Sequence, residues 1–181
     1  IKDLSPIFDG DHHWDNTQEN IQARIRGTIL MSYSNRKGAL LLNTSNKSEL
    51  AMGYGTLYGD LSGALMVIAD IYKTQVYDLA NHINKNSVII PVSTITKAPS
   101  AELRPDQKDT DSLPEYSVLD PVLHSLIEEG KTKEELIKEG VDSALIDKIL
   151  TLKARSAFKA HQMAPVIKIS NKPLLDQYKW V

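Results

Sequence analysis

Cysteine is absent from all 181 residues. Disulfides, thiolate metal sites and a cysteine nucleophile are therefore excluded within the chain. Aromatic side chains are scarce at 6%, so an interior drawn from 41% hydrophobic residues must be mainly aliphatic. No apolar run approaches the roughly 20 residues that span a bilayer. Neither sign of charge dominates. There are 23 acidic and 21 basic side chains and a formal net charge of -2, without the basic excess expected for nucleic acid or a membrane surface as partner. The opening residues, Ile1 to Pro6, hold no initiator methionine and no signal-peptide pattern. The expectations are one domain with a good core, cut or processed from something longer, and a cytoplasmic location.

The most informative stretch is Leu40 to Asp60. Ala39 to Leu42 is a short apolar run bounded by turn-formers, as a buried parallel strand would be. It gives way to seven polar residues, Asn43 to Glu49, and resumes as Leu50-Ala51-Met52-Gly53. A buried strand emptying into polar residues that begin a helix is the layout of a ligand site in an open α/β sheet. Backbone N–H groups and short polar side chains converge there at the carboxyl ends of strands. Thr44 and Glu49 are expected to face one crevice. The bland reading is a capped helix, with Ser48 as cap and Glu49 favoured by the helix dipole.

Along the rest of the chain, residues 5–16 read as a polar loop. Its His12-His13 beside Asp9 and Asp11 look solvated rather than metal-binding, since adjacent side chains diverge. A helix starts at Asn16 as cap, with Glu19 completing a capping box. Ile21, Ile25, Ile29 and Tyr33 recur every four residues as its buried stripe, and Asn20 and Arg24 stand one turn apart beside it. Gly38 ends this helix. Gly53 to Gly63 holds four glycines in eleven residues, a loop able to approach a ligand closely, though the Walker order of glycines, lysine and hydroxyl is missing. A second helix starts near Lys73 with Val76, Leu79, Ala80 and Ile83 as its apolar face. Lys73 opposes the helix dipole in the first turn, and a phosphate would neutralise it. Ser87 to Ile90 is a candidate strand, and Lys97 to Pro114 a long loop of the functional or mobile kind. Helices near Asp120–Glu129, Lys133–Glu139 and from Asp142-Ser143 onward finish the chain, with a basic bias from Lys153, Arg155, Lys159 and Lys168.

Several strings coincide with one family. ENIQARIRG (Glu19 to Gly27), LNTSNKSELAMGYGTLYGD (Leu42 to Asp60), DIYKTQVYDLA (Asp70 to Ala80), KAPSAELRPDQKDTDSLPEY (Lys97 to Tyr116) and FKAHQMAP (Phe158 to Pro165) resemble NAD synthetase, in order and over nearly the whole chain. The wording is more similar to the glutamine-dependent branch than to the short ammonia-only enzymes. The resemblance implies an α/β/α sandwich with a mostly parallel sheet, of the adenine-nucleotide alpha-hydrolase-like (ATP-pyrophosphatase) kind. It implies a ligase that adenylates the nicotinate carboxylate of deamido-NAD with ATP and Mg²⁺, then lets ammonia, free or from glutamine, displace AMP. Carried over by position, Thr44, Lys73 and Ser100 would bind ATP. Asn20, Arg24, Glu49, Tyr54, Gly55, Thr56, Leu57, Asp60 and Lys159 would bind deamido-NAD, with Glu49 also a Mg²⁺ ligand. The family assembles at least as dimers that share the dinucleotide site.

One departure is large. The family's Ser-Gly-Gly-x-Asp-Ser pyrophosphate loop occurs nowhere, and Ser62-Gly63 and Asp142-Ser143 do not replace it. Residues 1–181 therefore read as the C-terminal part of a synthetase domain, expected to be unable to adenylate alone. Two other readings stand beside this one. One is another ATP-pyrophosphatase amidotransferase, a GMP or asparagine synthetase relative. The other is a non-catalytic oligomerisation scaffold.

Overall fold

The computed structural model describes residues 15–174, so the His12-His13 reading lies outside the described residues. Helix α1 (Asn16–Lys37) is capped one residue earlier than expected. Asp15 accepts the Thr17 N–H, and Gln18, not Glu19, closes the capping box. Gly38 ends α1 in the left-handed conformation at φ 60°, where a Cβ would be strained. The stripe assignment is overturned. Ile25, Ile29 and Tyr33 are 48%, 62% and 63% exposed, and the buried face carries Gln18, Ala23, Gly27 and Ser34. Close approach explains the swap, because α1 lies backbone-to-backbone on the loop around Gly59. A Cβ on Gly27 would fall 2.9 Å from the Gly59 carbonyl oxygen, and one on Gly59 equally near the Ala23 backbone. Only small residues fit such a seam.

Strand β1 (Leu42–Asn43) pairs in parallel with β2 (Leu65–Met66), and Met66 bridges in parallel to Val166. Every strand pairing among the described residues is thus parallel, which bears out the α/β class with a sheet present in part. The apolar run ahead of β1 is not buried as expected: Leu40 is 76% and Leu42 50% exposed, while Asn43 is buried. Among the described residues only β2 pairs with β1, and within the run Leu41 alone among the leucines is half-buried. Helix α2 (Lys47–Ala51) follows β1, and α3 (Lys73–Ile83) starts at Lys73 as expected. The apolar face of α3 is only half covered, with Leu79 and Ile83 at 43% and 40% exposure.

Residues 87–90 form no strand. Ile89 and Ile90 N–H groups instead turn onto the Asn84 side-chain oxygen, ahead of α4 (Val92–Thr96). The following loop is irregular to Glu115 except for one 3₁₀ turn at Asp109–Asp111. Helix α5 (Tyr116–His124) begins four residues before the expected start and passes through Pro121 into a π-helical turn at Ser125–Glu129. Proline is normally a first-turn residue. Here burial of Tyr116 and Leu119 secures the turn ahead of it. Helices α6 (Lys133–Lys138) and α7 (Ser143–Ser156) start where they are expected, capped by Thr132 and Asp142. Leu119, Leu123, Ile127, Leu136, Ile146 and Ile149 are all nearly or fully buried between α5, α6 and α7. They join Leu50, Met52 and Met66 in one core beneath the carboxyl end of β1.

Candidate functional site

At the end of β1 the chain turns because Asn43 uses its whole side chain. Its amide donates to the Asp60 and Ser62 carbonyls at 2.6 and 3.0 Å, and its oxygen accepts the Ser45 N–H at 2.8 Å. Asn46, not Ser48, then caps α2, accepting the Glu49 N–H at 3.0 Å while Glu49 Oε2 accepts the Asn46 N–H at 3.2 Å. Glu49 Oε1 remains for Lys73 Nζ at 3.0 Å, so the cation in the first turn of α3 is balanced by a carboxylate of this chain. Burial alone would push the Lys73 ammonium down. The charge and hydrogen bond of Glu49 outweigh it and hold the ammonium above the ordinary lysine value. The ring of Tyr116 lies 5.5 Å from Lys73 Nζ and adds a cation–π contact.

The glycine-rich loop folds over this point. Thr56 N–H donates to Asp60 Oδ1 at 2.8 Å, and Thr56 Oγ1 donates to Asn20 Oδ1 at 2.7 Å. Lys159 reaches in from beyond α7 and donates to the Gly53 and Gly55 carbonyls at 2.8 and 2.6 Å. Burial pushes its pKa down, against a smaller upward pull from Asp60. The long loop closes the remaining wall and is tied to α1. Gln22 donates to the Leu103 carbonyl at 3.1 Å, Arg26 to that of Glu102 at 2.8 Å, and Arg104 pairs with Glu19 at 3.3 Å.

Together these segments enclose an open cavity of ≈ 1460 Å³. Asn20, Thr44, Glu49, Tyr54, Gly55, Thr56, Asp60, Lys73, Ser100 and Lys159 all line it, from six separate stretches of sequence. Two expected residues do not. Leu57 is 8% exposed and belongs to the core. Arg24 lines a second, shallow depression with Ile21, Ile25, Thr28 and Ile29, and its Nε donates to the Leu57 carbonyl at 3.3 Å. Four residues advance an α-helix by more than one turn, roughly 40°. That drift carries Arg24 off the face that Asn20 shares with Thr56.

Asp109 is the residue that sequence reading missed. It is 3% exposed and lines the cavity, and its Oδ2 accepts the Tyr116 hydroxyl at 2.8 Å. Its Oδ1, also buried, has no hydrogen-bond partner among the described residues. Burial, with the Asp109 charge adding, raises the Tyr54 phenol, and burial with the Glu49 and Asp109 charges raises that of Tyr116, so both stay protonated donors. In sequence Asp109 sits in KDT, within a charged and surface-looking stretch, and nothing local marks it as buried. The lining therefore offers ammonium groups for phosphates, carboxylates for ribose hydroxyls or a hydrated cation, and hydroxyls. It contains no thiol. Among the described residues no group of three His, Asp or Glu converges on a metal position.

The model of the NAD synthase family matches residues 3–163. A glutamine-dependent NAD(+) synthetase of Synechocystis sp. is 48% identical over 169 residues, covering 93% of this chain and 30% of that protein. The solved glutamine-dependent NAD+ synthetase of Acinetobacter baumannii, a complex with adenosine diphosphate, is 38% identical with a TM-score of 0.51, over 99% of this chain and 31% of its own. That of Cytophaga hutchinsonii is 25% identical with a TM-score of 0.75, over 99% and 30%. The chain thus spans under a third of the length of these relatives.

Proposed function

The chain belongs to the NAD synthase family, and from that premise we propose that it forms the later part of a synthetase domain that converts deamido-NAD to NAD with ATP. The observation that carries this reading is the single cavity that gathers ten of the twelve expected contacts. Its volume exceeds the roughly 300–1,000 Å³ usual for one small ligand, as two nucleotides require. The nicotinate carboxylate attacks the α-phosphorus of ATP and pyrophosphate leaves. Ammonia, free or released from glutamine, then attacks the acyl carbon, loses a proton, and AMP departs. Both steps depend on positioning and on neutralising phosphate charge rather than on a protein nucleophile. Lys73, with Thr44 and Ser100, holds the ATP phosphates and sugar. Asn20, Glu49, Tyr54, Gly55, Thr56, Asp60 and Lys159 hold the dinucleotide. Glu49 would supply one carboxylate to Mg²⁺, which takes one or two such ligands beside phosphate oxygens and water. For that, Glu49 must exchange its bond to Lys73 for the metal as phosphate takes over the ammonium.

Calorimetry on the full-length protein tests the assignment. Glu49→Ala and Lys159→Ala are each expected to weaken deamido-NAD binding about tenfold or more, since each removes a charge-assisted contact. Unchanged affinity in both would favour the scaffold reading.

The exposed stripe Ile25, Ile29 and Tyr33, with Arg24 among it, supports a second copy of the chain packed on α1 and contributing to a shared dinucleotide site. Ile25→Asp with Ile29→Asp is expected to convert a dimer into monomers in analytical ultracentrifugation. The monomer fold should be kept, because both side chains are already in solvent. A sedimentation coefficient that stays the same would reject this face as the contact.

A further inference from the structure

The Glu49–Lys73 pair joins two helices, and a buried network behind the cavity wall sets how those helices meet. Asp120 of α5 is 4% exposed. Its Oδ1 accepts the Ser48 hydroxyl at 2.6 Å, and its Oδ2 accepts both the Thr74 N–H at 2.8 Å and the Thr74 hydroxyl at 2.9 Å. Ser48 Oγ in turn accepts the Lys73 N–H at 2.9 Å. Ser48 directly precedes Glu49, and Thr74 directly follows Lys73, so one carboxylate holds the backbone beside both members of the pair.

The start of α3 needs this help. Its N-cap residue is Tyr72, whose side chain makes no cap hydrogen bond. The first N–H groups of a helix have no partner within it and must find one elsewhere. Here the Lys73 and Thr74 N–H groups find theirs on Ser48 and Asp120, which come from α2 and α5. The Asp120 carboxylate also places negative charge at the positive end of α3, where the Lys73 ammonium is otherwise disfavoured. None of Ser48, Thr74 and Asp120 lines the cavity.

We infer that Asp120, acting through Ser48, is a positioning residue that sets the Lys73 ammonium for the phosphates of ATP. The inference rests on the phosphate role proposed for Lys73. Any effect of the network on ATP must then pass through Lys73, whereas a merely structural role would not depend on it.

A double-mutant cycle on the full-length protein reads this directly, with ATP affinity measured by calorimetry. Lys73→Ala and Ser48→Ala are each expected to weaken ATP about tenfold. The double variant is expected to bind ATP no more weakly than Lys73→Ala alone, because both changes remove one unit. Losses that add in the double variant overturn the positioning role, as does full ATP affinity in Ser48→Ala beside a weakened Lys73→Ala. Full affinity in Lys73→Ala itself overturns the phosphate assignment, and the positioning role with it. If Ser48→Ala does not fold, Asp120→Asn replaces it in the same cycle with the same outcomes. The amide keeps the shape and one acceptor for Thr74.

Discussion

Replacing Lys47 by Met is expected to destabilise the protein by about 3–5 kcal/mol and to lower its melting temperature by roughly 10 °C. Lys47 is fully buried. Its ammonium pairs with Asp70 at 3.0 Å and with Glu128, donates to Ser170 Oγ at 2.9 Å and the Lys172 carbonyl at 3.1 Å, and lies 5.2 Å from the ring of Tyr72. Asp70 also accepts the Ile169 and Ser170 N–H groups at 2.7 and 2.6 Å. This cluster fastens residues 169–172 to the start of α2, next to Glu49. Methionine leaves two carboxylates facing each other without the cation, and a buried uncompensated charge is the costly outcome.

The pH dependence gives a second reading of the same cluster. Burial alone would raise the Asp70 carboxyl, but the two backbone N–H groups and Lys47 outweigh it and hold it below its ordinary value. A depressed carboxylate stabilises the fold above its unfolded pKa, about 3.9. That stabilisation is lost as pH falls through the lower folded value. In Lys47→Met the folded value rises, so the acid transition moves to higher pH. Urea unfolding of both proteins between pH 7 and 3 measures this. Equal midpoints at pH 7 together with equal acid transitions would mean that the cluster contributes nothing net.

Gly53→Ala is the other change expected to be severe, at about 2–4 kcal/mol from overpacking and left-handed backbone strain together. Gly53 has φ +65°, and a Cβ there would lie 2.0 Å from Ser156 Cβ and 2.5 Å from its Oγ. Ser156 cannot retreat easily, because its hydroxyl is bonded back to the Leu152 carbonyl at 2.9 Å on α7. The Gly53 carbonyl is one of the two acceptors that hold Lys159. Displacing it should therefore also weaken the dinucleotide, so stability and binding fall together. Ser156→Gly added to Gly53→Ala removes the obstructing atoms and is expected to restore part of the stability. The recovery stays partial because the φ remains unfavourable for alanine and glycine weakens a helix. Denaturation midpoints of the two proteins decide it. No recovery in the double variant would show that the contact with Ser156 is not the cause.

Much of this site was legible in sequence because it is built from local rules. Gly38 as the end of α1, Asp142-Ser143 as the start of α7 and Lys73 at the head of α3 all follow from a few neighbouring residues. The polar residues from Thr44 to Glu49 lie where a strand hands over to a helix, and that handover places Thr44 and Glu49 on the cavity whatever packs behind them.

The tertiary structure alone decided the rest. The isoleucines of α1 have the spacing of a core stripe, yet the glycine-to-glycine approach at Gly27 and Gly59 turned them to solvent. Periodicity identifies a helix face but not which face finds a partner. Ser48 reads as a cap and Asp120 as one more helix acid, and only their meeting across 72 residues makes them a joint. Lys47 sits mid-motif like any solvated lysine, until Asp70 and Glu128 close around it. Residue type and spacing determine caps and turns because those bonds are made within a few residues. Burial of charge and contact between distant elements depend on which surfaces meet, and that is settled only when the whole chain packs.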